Sequence, residues 1–313
     1  MSAAARLVVV LGPTGAGKSA LGMWLAEQLG GEVVVCDSTQ VYRHFDIGTA
    51  KVQPHERRGI PHHLMDLVES DELFTAGEYR RRALAVLGDL RQRGRVPVLT
   101  AGTGLYLRAL LEGLADAPLR SEAVRTRLRE KARRNGEEYL HRLLKRLDPD
   151  AAARIAPRDI QKITRAIEIC ILAGKPVSEI HRAGREALEG YRVHKIGLLP
   201  PRAELHARIE ERVTTMLQQG WLEEVKQLLA RGIPPTAKAF QFIGYAELYG
   251  LLKGKLDRAE AVRQIQQATR RYAKRQTTWF RKEAGVKWFT GFGDTPEVQT
   301  GALESLMGDE KSS

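Results

Sequence analysis

Residues Leu7–Ser19 (L-V-V-V-L-G-P-T-G-A-G-K-S) carry an apolar strand directly into a glycine-rich turn, with an amphipathic run from Ala20 to Leu29 behind it. The turn fits G-x-x-x-x-G-K-[ST] without a mismatch. Gly12, Pro13, Thr14, Gly15, Ala16 and Gly17 are expected to wrap a pair of phosphates with backbone N–H groups at a helix N-terminus. Lys18 then supplies a mobile charge and the Ser19 hydroxyl a ligand for Mg²⁺. A strand, phosphate loop and helix in this order commit the chain to an α/β fold. The motif does not say whether the phosphates belong to a nucleotide.

The next segments repeat the alternation. Glu32–Cys36 (E-V-V-V-C) and Val96–Thr100 read as buried strands, Thr75–Arg93 has helical periodicity, and Leu105–Leu111 reads as helix. This is the order of a parallel sheet with crossover helices, whose ligands gather at strand C-terminal ends. After Ala117-Pro118 the chain becomes charged and helical: about 121–147, broken near Asn135-Gly136, then Asp159–Leu172. A strand returns at Arg192–Leu199, followed by helices over Glu204–Gln219, Leu222–Arg231, Tyr245–Lys253 and Arg258–Lys282. The expected architecture is a P-loop NTPase-like parallel α/β core from 1–117 and 191–313. An all-helical insertion fills 118–190, the C-terminal part is helical, and the tail over 301–313 is mobile.

Charge is concentrated. The net charge is +12, with 10 Arg/Lys against 4 Glu between Arg120 and Arg146, and 6 Arg/Lys without an acid between Arg270 and Lys282. These two stretches carry the whole surplus, which suits a polyanion larger than a metabolite. Tyr272, Trp279 and Phe280 interleave with the second patch, a combination suited to phosphate contact and base stacking, and equally to a helix packed by its aromatic face. No apolar run approaches the ~20 residues of a membrane span. Met1 to Arg6 has no signal-peptide core, and Cys36 and Cys170 lie far apart, so a reduced cytoplasmic setting is expected.

Asp37 ends the second strand, in D-S-T-Q-V-Y. Three roles are open to it: a magnesium ligand, a general base, or a turn cap. Gln40 has a donor and an acceptor that together can read an adenine edge. Thr103, between two glycines that allow close approach of a ligand in A-G-T-G-L-Y, is a ligand-contacting hydroxyl or a helix cap. Pro61-His62-His63 has no third metal ligand beside it, so loop packing against substrate is expected there. Arg208 and Arg212 share a helix face at i, i+4, with Glu204 and Glu211 within reach, and a surface ion pair is expected for Arg208.

The strings G-P-T-G-A-G-K-S, D-S-T-Q-V-Y-R, D-I-G-T-A-K (Asp46–Lys51), P-H-H-L-M-D, A-G-T-G-L-Y, A-F-Q-F-I-G-Y (Ala239–Tyr245) and R-Y-A-K-R-Q-T-T-W-F-R (Arg271–Arg281) occur in order. From about residue 6 to 290 the chain resembles the bacterial tRNA dimethylallyltransferases, also called tRNA isopentenyltransferases. It departs from them at Ala101, where the family usually has a second glycine, and it lacks the C-terminal zinc finger of eukaryotic relatives.

The resemblance implies transfer of a dimethylallyl group from dimethylallyl diphosphate to N6 of the adenosine 3′ to the anticodon. It makes Asp37 the base, Thr103 a holder of the diphosphate, and Arg212, with Arg208 second, the arginine that stabilises the leaving pyrophosphate beside Mg²⁺. It further implies that the tRNA anticodon stem-loop meets Asp37, Ser38, Thr39, Gln40 and Thr103. Other implied RNA contacts are Gln161, Lys162, Ile163, Thr164 and Arg165, with Arg125 beside them, and Phe240, Gln241, Arg271, Lys274 and Arg275. A monomer is expected. The rival readings are a small-molecule kinase or ATPase, and a non-catalytic RNA-binding protein with a disused phosphate loop.

Overall fold

The structure, a computed structural model, describes residues 4–136, 138–182 and 184–308. The chain divides into two compact units, Met1–Leu110 with Glu189–Ser313, and Leu111–Leu188. The second is the helical insertion, and it begins earlier than the composition change at residue 118.

In the first unit the strands are β1 (Ala5–Leu11), β2 (Glu32–Cys36), β3 (His62–His63), β4 (Pro97–Ala101), β5 (Tyr191–Leu198) and β6 (Val286–Phe289). They form one sheet in the order β3-β2-β4-β1-β5-β6, with parallel pairing throughout. β2 and β4 are buried along their whole length, which is why they read as unbroken Val/Leu runs instead of alternating ones. Helices α1 (Lys18–Gln28) and α2 (Ala76–Gln92) supply crossovers, and α3 (Gly104–Glu112) leaves the end of β4. A Cβ at Gly22 of α1 would come within 2.4 Å of Thr100 Cγ2, so only glycine lets this helix lie so close to the sheet.

In the second unit α4 (Glu122–Asn135), α5 (Glu138–Leu147), α6 (Pro149–Arg154), α7 (Ile160–Ala173) and α8 (Val177–Arg182) close over their own core of Leu128, Leu140, Leu144, Ile163 and Ile167. Glu168 is fully buried beneath it. Burial opposes its charge, but Arg125, Arg165 and the Ser121 N–H more than offset that and hold its carboxyl at about 2.

After β5 the first unit is helical: α9 (Arg202–Gln218), α10 (Trp221–Ala230), α11 (Tyr245–Leu252), α12 (Arg258–Phe280) and α13 (Pro296–Gly308). Three expectations are corrected. Residues 301–308 are not a mobile tail: Ala302 and Leu306 of α13 are buried with Leu21 and Leu25 of α1 in the main core, while 309–313 lie outside the described residues. His62 and His63 are edge-strand residues. His63 Nε2 lies 2.6 Å from Glu32, whose carboxyl is held at about 2 chiefly by hydrogen bonds from Arg93. β6 was not anticipated because four residues at a sheet edge carry almost no periodicity; Gly197 opposite makes room for Trp288.

Candidate active site

The C-terminal ends of β1, β2 and β4 open into a cavity of about 1480 Å³ within the first unit. At its base lies the glycine-rich turn. Gly17 is the N-cap of α1 with φ 85°, contributes no side-chain cap, and is followed by no acid in the first helical turn. The helix therefore presents open N–H groups and the positive end of its dipole to the cavity. A side chain at Gly17 would be 2.7 Å from the Gly293 N, because the segment before α13 packs on the loop from behind.

Lys18 Nζ donates to Pro13 O at 2.8 Å. Burial pushes its pKa down to about 8, with Asp37 raising it and Arg212 lowering it in turn. Among the described residues the Ser19 hydroxyl has no hydrogen-bond partner and faces the same cavity.

Asp37 leaves β2 toward this loop. Its Oδ1 accepts from the Thr39 N–H at 2.8 Å and the Thr39 hydroxyl at 2.6 Å. Oδ2 sits against Gly102, where a Cβ would be 2.5 Å away. The carboxylate thus caps its own turn with one oxygen and presents the other to the start of the A-G-T-G turn. Thr103 does not cap α3 with its side chain. Its Oγ1 accepts the Ser38 N–H at 2.9 Å and lies 3.2 Å from Ser38 Oγ, tying the turn after β4 to the turn after β2. The neighbouring Cys36 thiol is buried and pushed up to about 12, which leaves it inert.

The two arginines of α9 separate in role. Arg208 is engaged bidentately by Asp294 at 2.9 and 2.6 Å and lies over the Phe292 ring. The surface pair expected with Glu204 or Glu211 is therefore replaced by one to a residue far away in sequence, and Arg208 reaches a diphosphate only by giving up Asp294. Arg212 makes no hydrogen bond or ion pair among the described residues. Burial lowers its pKa, Arg208 adds to the fall and Asp37 opposes it. A desolvated guanidinium in a cavity with Lys18 is a site waiting for an anion.

Helix α12 lines the opposite wall with Tyr272 and Gln276, one turn apart. Burial pushes the Tyr272 phenol up, Asp37 adds to this, and Arg275, lying over its ring, opposes it. Gln276 escaped the sequence reading. It is buried, accepts from the Thr14 N–H at 2.8 Å, and donates to Gly102 O at 2.8 Å. Its one signal was helical spacing from Tyr272. On the other face Arg271 and Lys274 are exposed, and Arg275, also exposed, lines the cavity over the Tyr272 ring.

Several expected RNA contacts are elsewhere engaged. Gln40 Nε2 donates to Thr49 O and Ala50 O at 3.0 and 3.2 Å, so its donor is committed to the 46–51 loop and cannot also read an adenine edge. That loop is held by Glu224, which accepts from the N–H groups of Asp46, Ile47 and Gly48, and by buried Lys51, paired with Asp46 and Asp66. Phe240 is core, edge-on to Phe45, whereas Gln241 is exposed at the cavity. In the helical unit Ile163 is fully buried, which removes it as a contact, and Arg125 and Arg165 are spent on Glu168. Gln161 and Lys162 are exposed and Thr164 is half-buried.

Among the described residues no group of three or more His, Cys, Asp or Glu could hold a metal, and no helix is long and apolar enough to cross a membrane.

Residues 40–283 match the family model described as IPP transferase. A tRNA dimethylallyltransferase of Solibacter usitatus is 50% identical over 301 residues, covering 96% of this chain and 97% of that protein. One from Koribacter versatilis is 49% identical over 300 residues, with 96% and 97% covered. The crystal structure of a full-length tRNA isopentenylpyrophosphate transferase from Bacillus halodurans superposes with a TM-score of 0.71 at 37% identity, covering 98% of each chain. A eukaryotic dimethylallyltransferase, captured in crystallographic snapshots acting on tRNA, superposes with a TM-score of 0.80 at 28% identity, covering 97% of this chain and 77% of that one.

Proposed function

The chain belongs to the IPP transferase family of tRNA dimethylallyltransferases, and on that premise we propose that it prenylates N6 of the adenosine 3′ to the anticodon, with dimethylallyl diphosphate as donor. The observation that carries this reading is the meeting, in one cavity, of an open anion cradle and a strand-end carboxylate. The cradle is the glycine-rich loop with Lys18 and Arg212, which has no partner among the described residues; the carboxylate is Asp37.

An allylic C–O bond ionises readily once charge on the departing pyrophosphate is neutralised. The N–H groups at the start of α1, Lys18 and Arg212 supply that neutralisation in a site partly closed to water. The adenine leaves its stack to enter the cavity. Its exocyclic amine is a poor nucleophile, so Asp37 takes the N6 proton as the C–N bond forms and the C–O bond breaks. Thr103, bound to Ser38, keeps the Asp37 turn and the turn after β4 at one spacing. Ser19 Oγ is a hard oxygen donor facing the same space with no hydrogen-bond partner among the described residues, and with phosphate oxygens of the donor it would hold Mg²⁺. When bound there, the ion adds positive charge beside the diphosphate.

The RNA is held by charge. The exposed Arg271, Lys274 and Arg275 of α12 form a cationic stripe beside the cavity, and Gln161 and Lys162 are the exposed candidates in the helical unit. The deciding experiment incubates the protein with Mg²⁺, labelled dimethylallyl diphosphate and unmodified tRNA. Label is expected in the RNA, at the adenosine following the anticodon. Saturable ATP binding and hydrolysis with no labelled RNA would instead favour a phosphoryl-transfer enzyme.

A further inference from the structure

Gln276 is a buried amide in the middle of a cationic helix, and both its ends are used. Its carbonyl accepts the Thr14 N–H and its NH₂ donates to Gly102 O, each at 2.8 Å. Thr14 belongs to the loop that cradles the anion. Gly102 is the residue whose Cα lies against Asp37 Oδ2, and it precedes Thr103. Those two turns end different strands, β1 and β4, and this side chain bridges them directly.

A buried polar side chain survives only when its partners are complete. Here the partners are main-chain groups of the two halves of the proposed chemistry, the donor cradle and the base. Neighbouring groups of α12 reinforce the placement. Tyr272, one turn earlier, lines the same cavity as Asp37, and Trp279 Nε1 lies 2.0 Å from where a Cβ on Gly104 would be. The inner face of α12 thus meets the turn after β4 at both Gly102 and Gly104.

We propose that Gln276 is a positioning residue for the transfer, setting the spacing between the diphosphate loop and the turn that supports Asp37. The inference rests on the functional reading above. It needs an amide, not merely volume: one acceptor toward Thr14 and one donor toward Gly102. Methionine fills the space and supplies neither. Glutamate supplies both only while protonated, when its carbonyl accepts from Thr14 and its O–H donates to Gly102 O. Once ionised it sets a second acceptor against that carbonyl.

The test compares wild type, Gln276→Met and Gln276→Glu in the full chain. Readouts are kcat and KM for dimethylallyl diphosphate, pyrophosphate affinity by calorimetry, and affinity for unmodified tRNA. Gln276→Met is expected to lower kcat/KM for the donor by roughly 10- to 100-fold, since a buried N–H and C=O both lose their partner. Affinity for tRNA should stay within about twofold, because the cationic face of α12 is untouched. The activity of Gln276→Glu, taken as a ratio to wild type, should climb as pH falls and its carboxyl protonates.

Full activity in Gln276→Met, or a Gln276→Glu ratio flat with pH, overturns the proposal. Should Gln276→Met fail to fold, the pH ratio of Gln276→Glu decides alone. If wild type labels no RNA, the functional reading fails by itself, and pyrophosphate still tests Gln276: weaker binding to Gln276→Met than to wild type supports its hold on the loop, and equal affinity overturns it.

Discussion

At the scale of single residues, the site divides into groups with one clear chemical task and groups held by partners distant in sequence. Asp37 is of the first kind. Asp37→Asn keeps the cap to Thr39 but cannot take a proton, so transfer should fall by roughly 100- to 10,000-fold. Pyrophosphate affinity, read by calorimetry, should change little; an equal loss of both would make Asp37 a metal ligand first. Lys18 carries the pH dependence. With its pKa near 8 in the free protein, it is charged below that value and loses its charge as pH rises through it. Pyrophosphate affinity should therefore weaken between about pH 7.5 and 9.5, and Lys18→Arg, which stays charged, should flatten the decline. That Lys18, Ser19 and Asp37 line one cavity was legible in the chain because motif and strand-end position are local properties. The engagements of Arg208, Gln40 and Gln276 were not. Their partners, Asp294, the 46–51 loop, and Thr14 with Gly102, lie across loops or at the far end of the chain, and only the fold brings them together.

At the scale of elements, α12 does two things with two faces. Inward it buries Ala273, Gln276 and Phe280, outward it exposes Arg271 and Lys274, and between the two Arg275 lines the cavity over Tyr272. The aromatic face of the run is thus packed inward, with Trp279 beside Gly104 and under Arg108 and so unavailable for base stacking, while contact of its basic residues with RNA remains the proposal. Reversing Arg271 and Lys274 to Glu should weaken tRNA binding and lower the salt slope of log K by about 1 for each phosphate no longer neutralised. Filter binding at salt concentrations from about 50 to 200 mM measures this, and an unchanged slope would return the outer face to plain solvation. Helices with long amphipathic runs were visible in advance. β3 and β6 were not, since edge strands of two and four residues exist only through the neighbour they pair with.

At the scale of the whole molecule, the parallel sheet and its helical insertion followed from the alternation of Val-rich runs and helices, and from the change in composition after residue 117. The C-terminal end did not follow. Gly301 and its polar neighbours suggested a loose tail, yet α13 presents Val298, Ala302 and Leu306 to the core. Leu306→Ala should therefore cost about 2–5 kcal/mol, read as a lower urea midpoint. A truly loose tail would leave the midpoint where it is.

The two ends of the helical insertion meet each other. Leu188 N–H donates to Leu111 O at 2.9 Å, and Gly190 O accepts from the Ala5 N–H at 2.9 Å. Once the insertion has folded, its two ends are already together, and the remaining chain need not confine a long excursion of its own. The closure penalty on joining β5 to the end of α3 is then that of a tight turn, growing only logarithmically with whatever lies beyond it. Evolution can lengthen, trim or exchange that excursion at little thermodynamic penalty to the catalytic sheet. On the proposed reading, RNA contact in the helical unit and transfer chemistry on the sheet are thereby free to change separately.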